Sequence, residues 1–268
     1  MEIVPPRPRI LVLIAIGLAG GLLSGAFGVG GGIILVPLLV TFAGLDQRRA
    51  SAASLLAILP TSIAGSITYI VNGEIDFVAA GFVAIGAIGG AIIGANLLKR
   101  IPIVWLRWTF IGLLLLIAVR MLLIEPERGE PLALTPWLAL AYLALGLVMG
   151  IASGLLGVGG GIIAVPALIG LFGISDLIAK GTSLLVMIPT TITGTATNYR
   201  NKLVDLRTGL IVGAAAAVAS IGGATVALAL PARIAAILFA ILLVAIAIQL
   251  SVRAIRAHRK PKADPEAA

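Results

Sequence analysis

Residues 24–39 read SGAFGVGGGIILVPLL, and residues 153–168 read SGLLGVGGGIIAVPAL. Twelve of the 16 positions are identical, and the two stretches are 129 residues apart. The same offset pairs Pro60 with Pro189, so the similarity continues beyond the glycine clusters. The sequence therefore predicts a tandem duplication with repeat 1 over residues 1–130, repeat 2 over residues 131–252 and a basic cytoplasmic tail over residues 253–268.

The composition is that of an integral membrane protein. Of 268 residues, 60% are hydrophobic and 11% are charged, whereas soluble domains are about 45–50% apolar and about 25% charged. This excludes a soluble enzyme and a nucleic-acid-binding protein, and the net charge of +8 is assigned to cytoplasmic loops. The chain has no cysteine and one histidine, His258 in the tail. Disulfides, thiolate or histidine metal sites and cofactors are therefore not expected.

Eight apolar runs follow one another along the chain. Six have the length of about 20 residues that spans a bilayer, and we predict spanning helices at 50–71, 77–98, 103–124, 179–199, 206–230 and 232–252. Two runs, 10–43 and 136–172, are too long for one crossing and have a glycine cluster in the middle. Each is predicted to be a re-entrant helical hairpin, with a broken spanning helix as the alternative.

The distribution of Lys and Arg favours the hairpins. With the amino terminus inside and both long runs re-entrant, 15 of the 19 basic residues are cytoplasmic, whereas only 12 are if both runs cross. The positive-inside rule prefers the first arrangement. The predicted fold is an all-α polytopic membrane protein of two inverted-topology repeats, each with a Gly-rich hairpin and three spanning helices. Both termini are expected in the cytoplasm, at the plasma (inner) membrane of a bacterium or archaeon.

The glycine clusters are candidate anion sites. A half-helix that begins at the tip of each hairpin leaves about four N–H groups unpaired at the positive end of its dipole. Two tips entering from opposite faces are expected to meet near the midplane. The cluster residues are Gly28, Gly30, Gly31 and Gly32 in repeat 1 and Gly157, Gly159, Gly160 and Gly161 in repeat 2. The alternative is close helix packing, which is the preferred interpretation for Gly86–Gly94 and for Gly222-Gly223.

Polar residues near the clusters complete the predicted site. Pro37 and Pro166 are expected to kink or start the returning half-helices. The predicted hydroxyl groups and their prolines are Pro60, Thr61 and Ser62 in repeat 1 and Pro189, Thr190 and Thr191 in repeat 2. Their hydroxyls bind either a substrate oxygen or their own helix. Ser54 and Ser183 are a further matched pair, and Asn198 and Tyr69 are weaker candidates. Basic residues are expected only at the mouths, namely Arg48 and Arg49 inside and Lys180 outside.

The motif S-G-x-x-G-V-G-G-G-x-x-x-V-P, present once per half, resembles that of the sulfite exporter TauE/SafE family, also called the toluene-sulfonate uptake permease family. The resemblance implies a small multispanning permease for sulfite, organosulfonates or other small anions, usually in export. Its motif residues here are Gly28, Gly30–Gly32, Pro37, Gly157, Gly159–Gly161 and Pro166.

These features together predict a secondary transporter that alternates access around a midplane site. An anion-selective channel is the alternative, and a membrane enzyme or an assembly scaffold is less favoured. The expected partners are a small anion and the lipid bilayer, without nucleic acid; the sequence leaves homodimerisation open.

Overall fold

A computed structural model describes residues 9–98 and 135–231, together with single positions within 100–119 and 233–255. Within these residues the protein is helical, without strands. The eight helices described along their length are α1 (Ile10–Phe27), α2 (Gly32–Phe42), α3 (Gln47–Val71), α4 (Phe77–Leu97), α5 (Pro136–Leu156), α6 (Gly161–Phe172), α7 (Asp176–Arg200) and α8 (Leu206–Ala229). The described positions within 104–119 and 233–255 are also helical. The predicted all-α polytopic class is confirmed.

Six of these helices, α1, α3, α4, α5, α7 and α8, are long and apolar enough to cross a membrane. The other two, α2 and α6, have 11 and 12 residues, about 16–18 Å at 1.5 Å per residue, half of a hydrocarbon core. Each long run, 10–43 and 136–172, is therefore one membrane-length helix followed by one half-length helix. The predicted spans 103–124 and 232–252, and the tail 253–268, lie mostly outside the described residues.

Side-chain caps explain where α3 and α7 begin. The Asp46 carboxylate accepts hydrogen bonds from the backbone N–H groups of Arg48 and Arg49, and the Ser175 hydroxyl accepts one from Ile178. Such caps satisfy donors that a helix start otherwise leaves unpaired. The predicted starts at residues 50 and 179 are thus three residues late, because the charged residues after each cap resembled a loop.

The two central helices, α3 and α7, occupy equivalent positions in the halves and run antiparallel. Gly65, late in α3, packs against Leu184, early in α7, while Gly194, late in α7, packs against Leu55. Inverted halves require this relation between equivalent helices. How the helices lie in a bilayer stays a prediction.

Each half-length helix folds back along the helix before it. Leu35 of α2 packs against Gly20 of α1, and a methyl group on Gly31 would lie 2.5 Å from the Gly20 carbonyl oxygen. In the second half, a methyl group on Gly160 would lie 2.9 Å from the Met149 carbonyl oxygen of α5. The pairs α1–α2 and α5–α6 are therefore helical hairpins; their re-entrant position in a membrane stays a prediction.

Glycines allow two helix pairs to pack backbone to backbone. Gly86, Gly90 and Gly94 of α4 contact the backbone of α5, and Gly223 of α8 contacts the backbone of α1. The packing interpretation is confirmed for these four glycines. It is wrong for Gly89 of α4 and for Gly222 of α8, because an added methyl group at either position has no neighbour within 4 Å.

Gly90→Ala is predicted to destabilise the protein, because its methyl group would collide with the Leu147 carbonyl of α5. Overpacking of this kind costs about 1–3 kcal/mol. Gly89→Ala on the same helix meets nothing within 4 Å and should be neutral or stabilising, since Ala is the better helix former. Thermal unfolding of the purified variants measures both effects. Equal melting temperatures for the two variants would contradict the described packing of α4 on α5.

Single cysteines test the membrane topology in this cysteine-free chain. The exposed positions Gly44 and Lys202 lie at one end of the α3–α7 pair, and Asn72 and Gly173 lie at the other. An impermeant maleimide added to intact cells is predicted to label only cysteines at 72 and 173. External labelling at 44 together with 173 would show that the halves are parallel.

Candidate functional site

Two short loops, here the glycine loops, connect the arms of the hairpins at residues 28–31 and 157–160. Their backbone requires glycine, because three residues in each loop have a positive φ that L side chains rarely adopt. These are Gly28, Gly30 and Gly31 at 68°, 75° and 71°, and Gly157, Gly159 and Gly160 at 72°, 79° and 86°. The sequence motif therefore encodes two loops of the same conformation.

The structure brings the two glycine loops into contact with one another. A methyl group on Gly32 would lie 2.6 Å from the Gly157 carbonyl oxygen, and one on Gly161 would lie 2.6 Å from the Gly28 carbonyl oxygen. This approach is closer than any residue with a Cβ atom permits. The first residues of α2 and α6 thus face the opposite loop.

Both half-length helices begin with unpaired backbone donors. In α2 the N–H groups of Ile34 and Leu35 are the first to bond back, to the Gly31 carbonyl, at 3.0 and 2.9 Å. The equivalent bonds of α6 run from Ile163 and Ala164 to the Gly160 carbonyl. Neither helix has a side-chain cap. The N–H groups of the first turns therefore present the positive ends of two helix dipoles at the loops.

One face of each central helix lines the loops. On α3 the face consists of Ser51, Ser54 and Ile58, and on α7 of the equivalent Lys180, Ser183 and Met187; the spacing i, i+3, i+7 places each set on one side. A methyl group on Gly30 would lie 2.6 Å from the Met187 sulfur, and one on Gly159 would lie 3.2 Å from Ile58. Ile58 and Met187 contact both loops.

Four buried serine hydroxyls on the helices that flank the loops have no hydrogen-bond partner among the described residues. They are Ser24 and Ser153, in the last turns of α1 and α5, and Ser54 and Ser183 on the central helices. The Ser183 hydroxyl lies 2.8 Å from the position of a methyl group on Gly161. A buried hydroxyl without a partner costs about 1–3 kcal/mol. These four groups are therefore candidate ligands for a polar molecule at the loops.

The hydroxyls predicted next to Pro60 and Pro189 form bonds within their own helices. Thr61 and Ser62 donate to the carbonyls of Ala57 and Ile58 at 2.7 and 2.8 Å. Thr190 and Thr191 donate to the carbonyls one turn back, those of Val186 and Met187, both at 2.7 Å. The four hydroxyl donors are thus occupied by carbonyls of their own helices, which is the second of the two possibilities given for them above. Unpartnered hydroxyls include instead the two serine pairs, which the 129-residue offset also identifies; Thr195 and Ser220 are unpartnered as well.

The predicted prolines lie in two different environments. Pro37 and Pro166 are buried inside α2 and α6, at the sixth residue of each, rather than at the helix starts. Pro60 packs against Gly213 of α8, at 2.9 Å from an added methyl group, and Pro189 is half-buried within α7. Pro37 and Pro166 therefore lie within the short helices and not at the glycine loops, whereas Pro60 contributes to the contact between α3 and α8.

The predicted mouth cations differ in their surroundings. Arg49 has a side chain 61% exposed, with its Nε 3.4 Å from Asp46, and the neighbouring Arg48 is half-buried. The expectation of a mouth cation is wrong for Lys180, which is 2% exposed, with its Nζ 2.7 Å from an Asp176 carboxylate oxygen. Asp176 is 9% exposed. The i, i+4 spacing within α7 produces this pair, and the D-x-x-x-K pattern was the signal for it.

The weaker candidates Tyr69 and Asn198 are at equivalent positions of the two halves, but only Tyr69 forms a hydrogen bond with its side chain. The Tyr69 hydroxyl donates to the Gly25 carbonyl of α1 at 2.9 Å, so this side chain holds α3 to the first hairpin. Asn198 is fully buried, and neither atom of its amide group has a partner. Asn198 is therefore a further polar group available to a ligand or a water molecule.

The six membrane-length helices and the two hairpins define a multi-pass α-helical membrane protein. The family model described as "Sulfite exporter TauE/SafE" matches residues 2–121 and 142–268. The chain belongs to this family, and its relatives carry the name "Probable membrane transporter protein".

Three relatives carry transporter names. The "Probable membrane transporter protein YunE" of Bacillus subtilis (strain 168) is 26% identical over 212 residues, covering 70% of this chain and 77% of YunE. The "Probable membrane transporter protein YdhB" of the same organism is 33% identical over 94 residues, 35% of this chain and 38% of YdhB. The "Probable membrane transporter protein MamO" of Magnetospirillum gryphiswaldense is 31% identical, over 44% of this chain and 19% of MamO.

Proposed function

We propose that the protein is a secondary transporter, not an enzyme, that exports a small anion such as sulfite or an organosulfonate. The observation that carries the proposal is the contact of two half-helix N-termini with the opposite glycine loops, with unpartnered serine hydroxyls on the helices that flank these loops. Family membership supports transport, and the substrate class rests on the chemistry of the site.

The site suits an anion without using a basic side chain. Each helix N-terminus supplies roughly half a positive charge, and its free N–H groups point at the loops. Serine hydroxyls add neutral donors that can bond to sulfonate or sulfite oxygens. Two helix ends together amount to about one positive charge. The site is therefore matched to a monoanion.

The tight enclosure of the loops supports alternating access. Val29 and Val158 in the loops and Ile33 and Ile162 at the helix starts are buried to at least 99%, and Ile58 and Met187 pack against both loops. An anion then reaches the site only if one hairpin moves relative to the central helices. The need for such a movement favours a carrier over the alternative, an anion-selective channel.

We place the protein in the plasma (inner) membrane. The distribution of its basic residues supports a topology with both termini cytoplasmic.

Binding by the purified protein tests the proposal. Isothermal titration with methanesulfonate is expected to detect saturable binding that Ser183→Ala weakens by about 0.5–1.5 kcal/mol, the contribution of one hydrogen bond. Thr190→Val, on the same helix, is the matched control and should leave the affinity unchanged, because the Thr190 donor is occupied by its own helix.

Two outcomes would contradict the proposal. Absence of binding by sulfite and every small sulfonate would remove the anion site, and a loss caused by Thr190→Val but not by Ser183→Ala would place the ligand elsewhere. Counterflow of radiolabelled substrate in proteoliposomes separates the carrier from the channel, since a channel shows none.

A further inference from the structure

The faces of α3 and α7 that line the glycine loops carry similar residues at equivalent positions, except toward the amino-terminal ends of the two helices. Ser54 and Ser183 are equivalent, as are the apolar Ile58 and Met187. One turn from the serines, however, α3 has Ser51 where α7 has Lys180, and a further turn away Gln47 stands where α7 has Asp176. A charged pair is therefore built into one half of an otherwise matched site.

Lys180 contacts the first glycine loop through its backbone and Cβ atom, and Asp176 pairs with it one turn earlier in α7. A methyl group on Gly28 would lie 2.6 Å from the Lys180 Cα atom and 2.9 Å from its carbonyl oxygen. In the other half, Ser51 packs against Gly157, and its hydroxyl donates to the Leu156 carbonyl at 3.1 Å. Lys180 thus occupies the place that a neutral serine fills at the second loop.

The pair is isolated from solvent and held within the fold. Among the described residues, Asp176 and Lys180 are the charged side chains classed as buried. The adjacent Gly181 packs against Tyr69 and the backbone of Glu74. A buried ion pair gives little stability over an apolar pair of similar size, because both charges lose their hydration. Stability alone therefore does not account for its place beside the loop.

The geometry points to Asp176 as the residue that sets the charge selectivity of the anion site, by cancelling the charge of Lys180 beside the glycine loop. With the pair intact, only the two helix ends supply positive potential, and the site carries about one positive charge. Without the carboxylate, Lys180 would add a full charge and the site would suit a dianion. This inference rests on the proposed anion site and adds the determinant of substrate charge.

Sulfate and methanesulfonate separate charge from shape, since both have a tetrahedral sulfur with several oxygens and differ by one negative charge. The quantity to measure is the ratio of their dissociation constants on purified protein at neutral pH. The wild type is expected to favour methanesulfonate. Asp176→Asn should shift the ratio about tenfold or more toward sulfate, because an uncancelled cation attracts a dianion about twice as strongly.

Charge-matched variants make the test specific. Lys180→Gln leaves the carboxylate alone and should shift the ratio in the opposite direction, while the double variant with Asp176→Asn and Lys180→Gln should return close to the wild-type ratio. Asp46→Asn removes a carboxylate from the exposed pair with Arg49 and retains a good helix cap, so its ratio should remain that of the wild type.

Each outcome decides for or against the inference. An unchanged ratio in folded Asp176→Asn would overturn it, and so would a shift of equal size in Asp46→Asn. If Asp176→Asn does not fold, Lys180→Gln and the double variant decide, and equal ratios in both overturn the inference. Absence of binding by wild-type protein would instead reject the proposed function itself.

Discussion

Backbone contact between the two glycine loops is the constraint on which the rest of the structure depends. The Gly28 and Gly157 carbonyls lie within 2.6 Å of where a side chain would begin on Gly161 and Gly32. This approach needs glycine at the loops, short helices that start there, and hairpins that bring both loops to the central helices. The antiparallel α3 and α7 then supply matched walls to the two loops. The positions of Ser24 and Ser183 beside the loops follow from this contact.

The contact also shows how a lining without net charge would bind the proposed anion. Helix ends and serine hydroxyls provide donors in a region from which water is largely excluded, where electrostatic interactions are stronger than in bulk water. The Asp176–Lys180 pair adds two charges that cancel. Low net charge lets an anion leave as well as enter, which a transporter requires and a tight binding protein does not. Movement of a hairpin past Ile58 and Met187 would open the site.

The sequence predicted the all-helical class well, because apolar runs of membrane length are a strong signal. The inverted repeats and the re-entrant position of the two hairpins stay predictions. The sequence predicted the two glycine loops because a backbone with positive φ usually requires glycine. It was wrong about Lys180, since exposure depends on the partner that Asp176 provides one turn away. The hydroxyls of Thr61 and Thr190 were candidate ligands in the sequence, but in the structure they donate to carbonyls of their own helices. A threonine hydroxyl inside a helix commonly bonds to the carbonyl one turn back.

Anomalous diffraction from crystals of the protein with bromomethanesulfonate tests the central claim most directly, because bromine locates the anion without assumptions about affinity. The account predicts a bromine peak at the contact between the glycine loops, with the sulfonate oxygens against the N–H groups of Gly32 and Gly161 and the Ser183 hydroxyl. A peak at the exposed Arg49, with none at the loops, would contradict it.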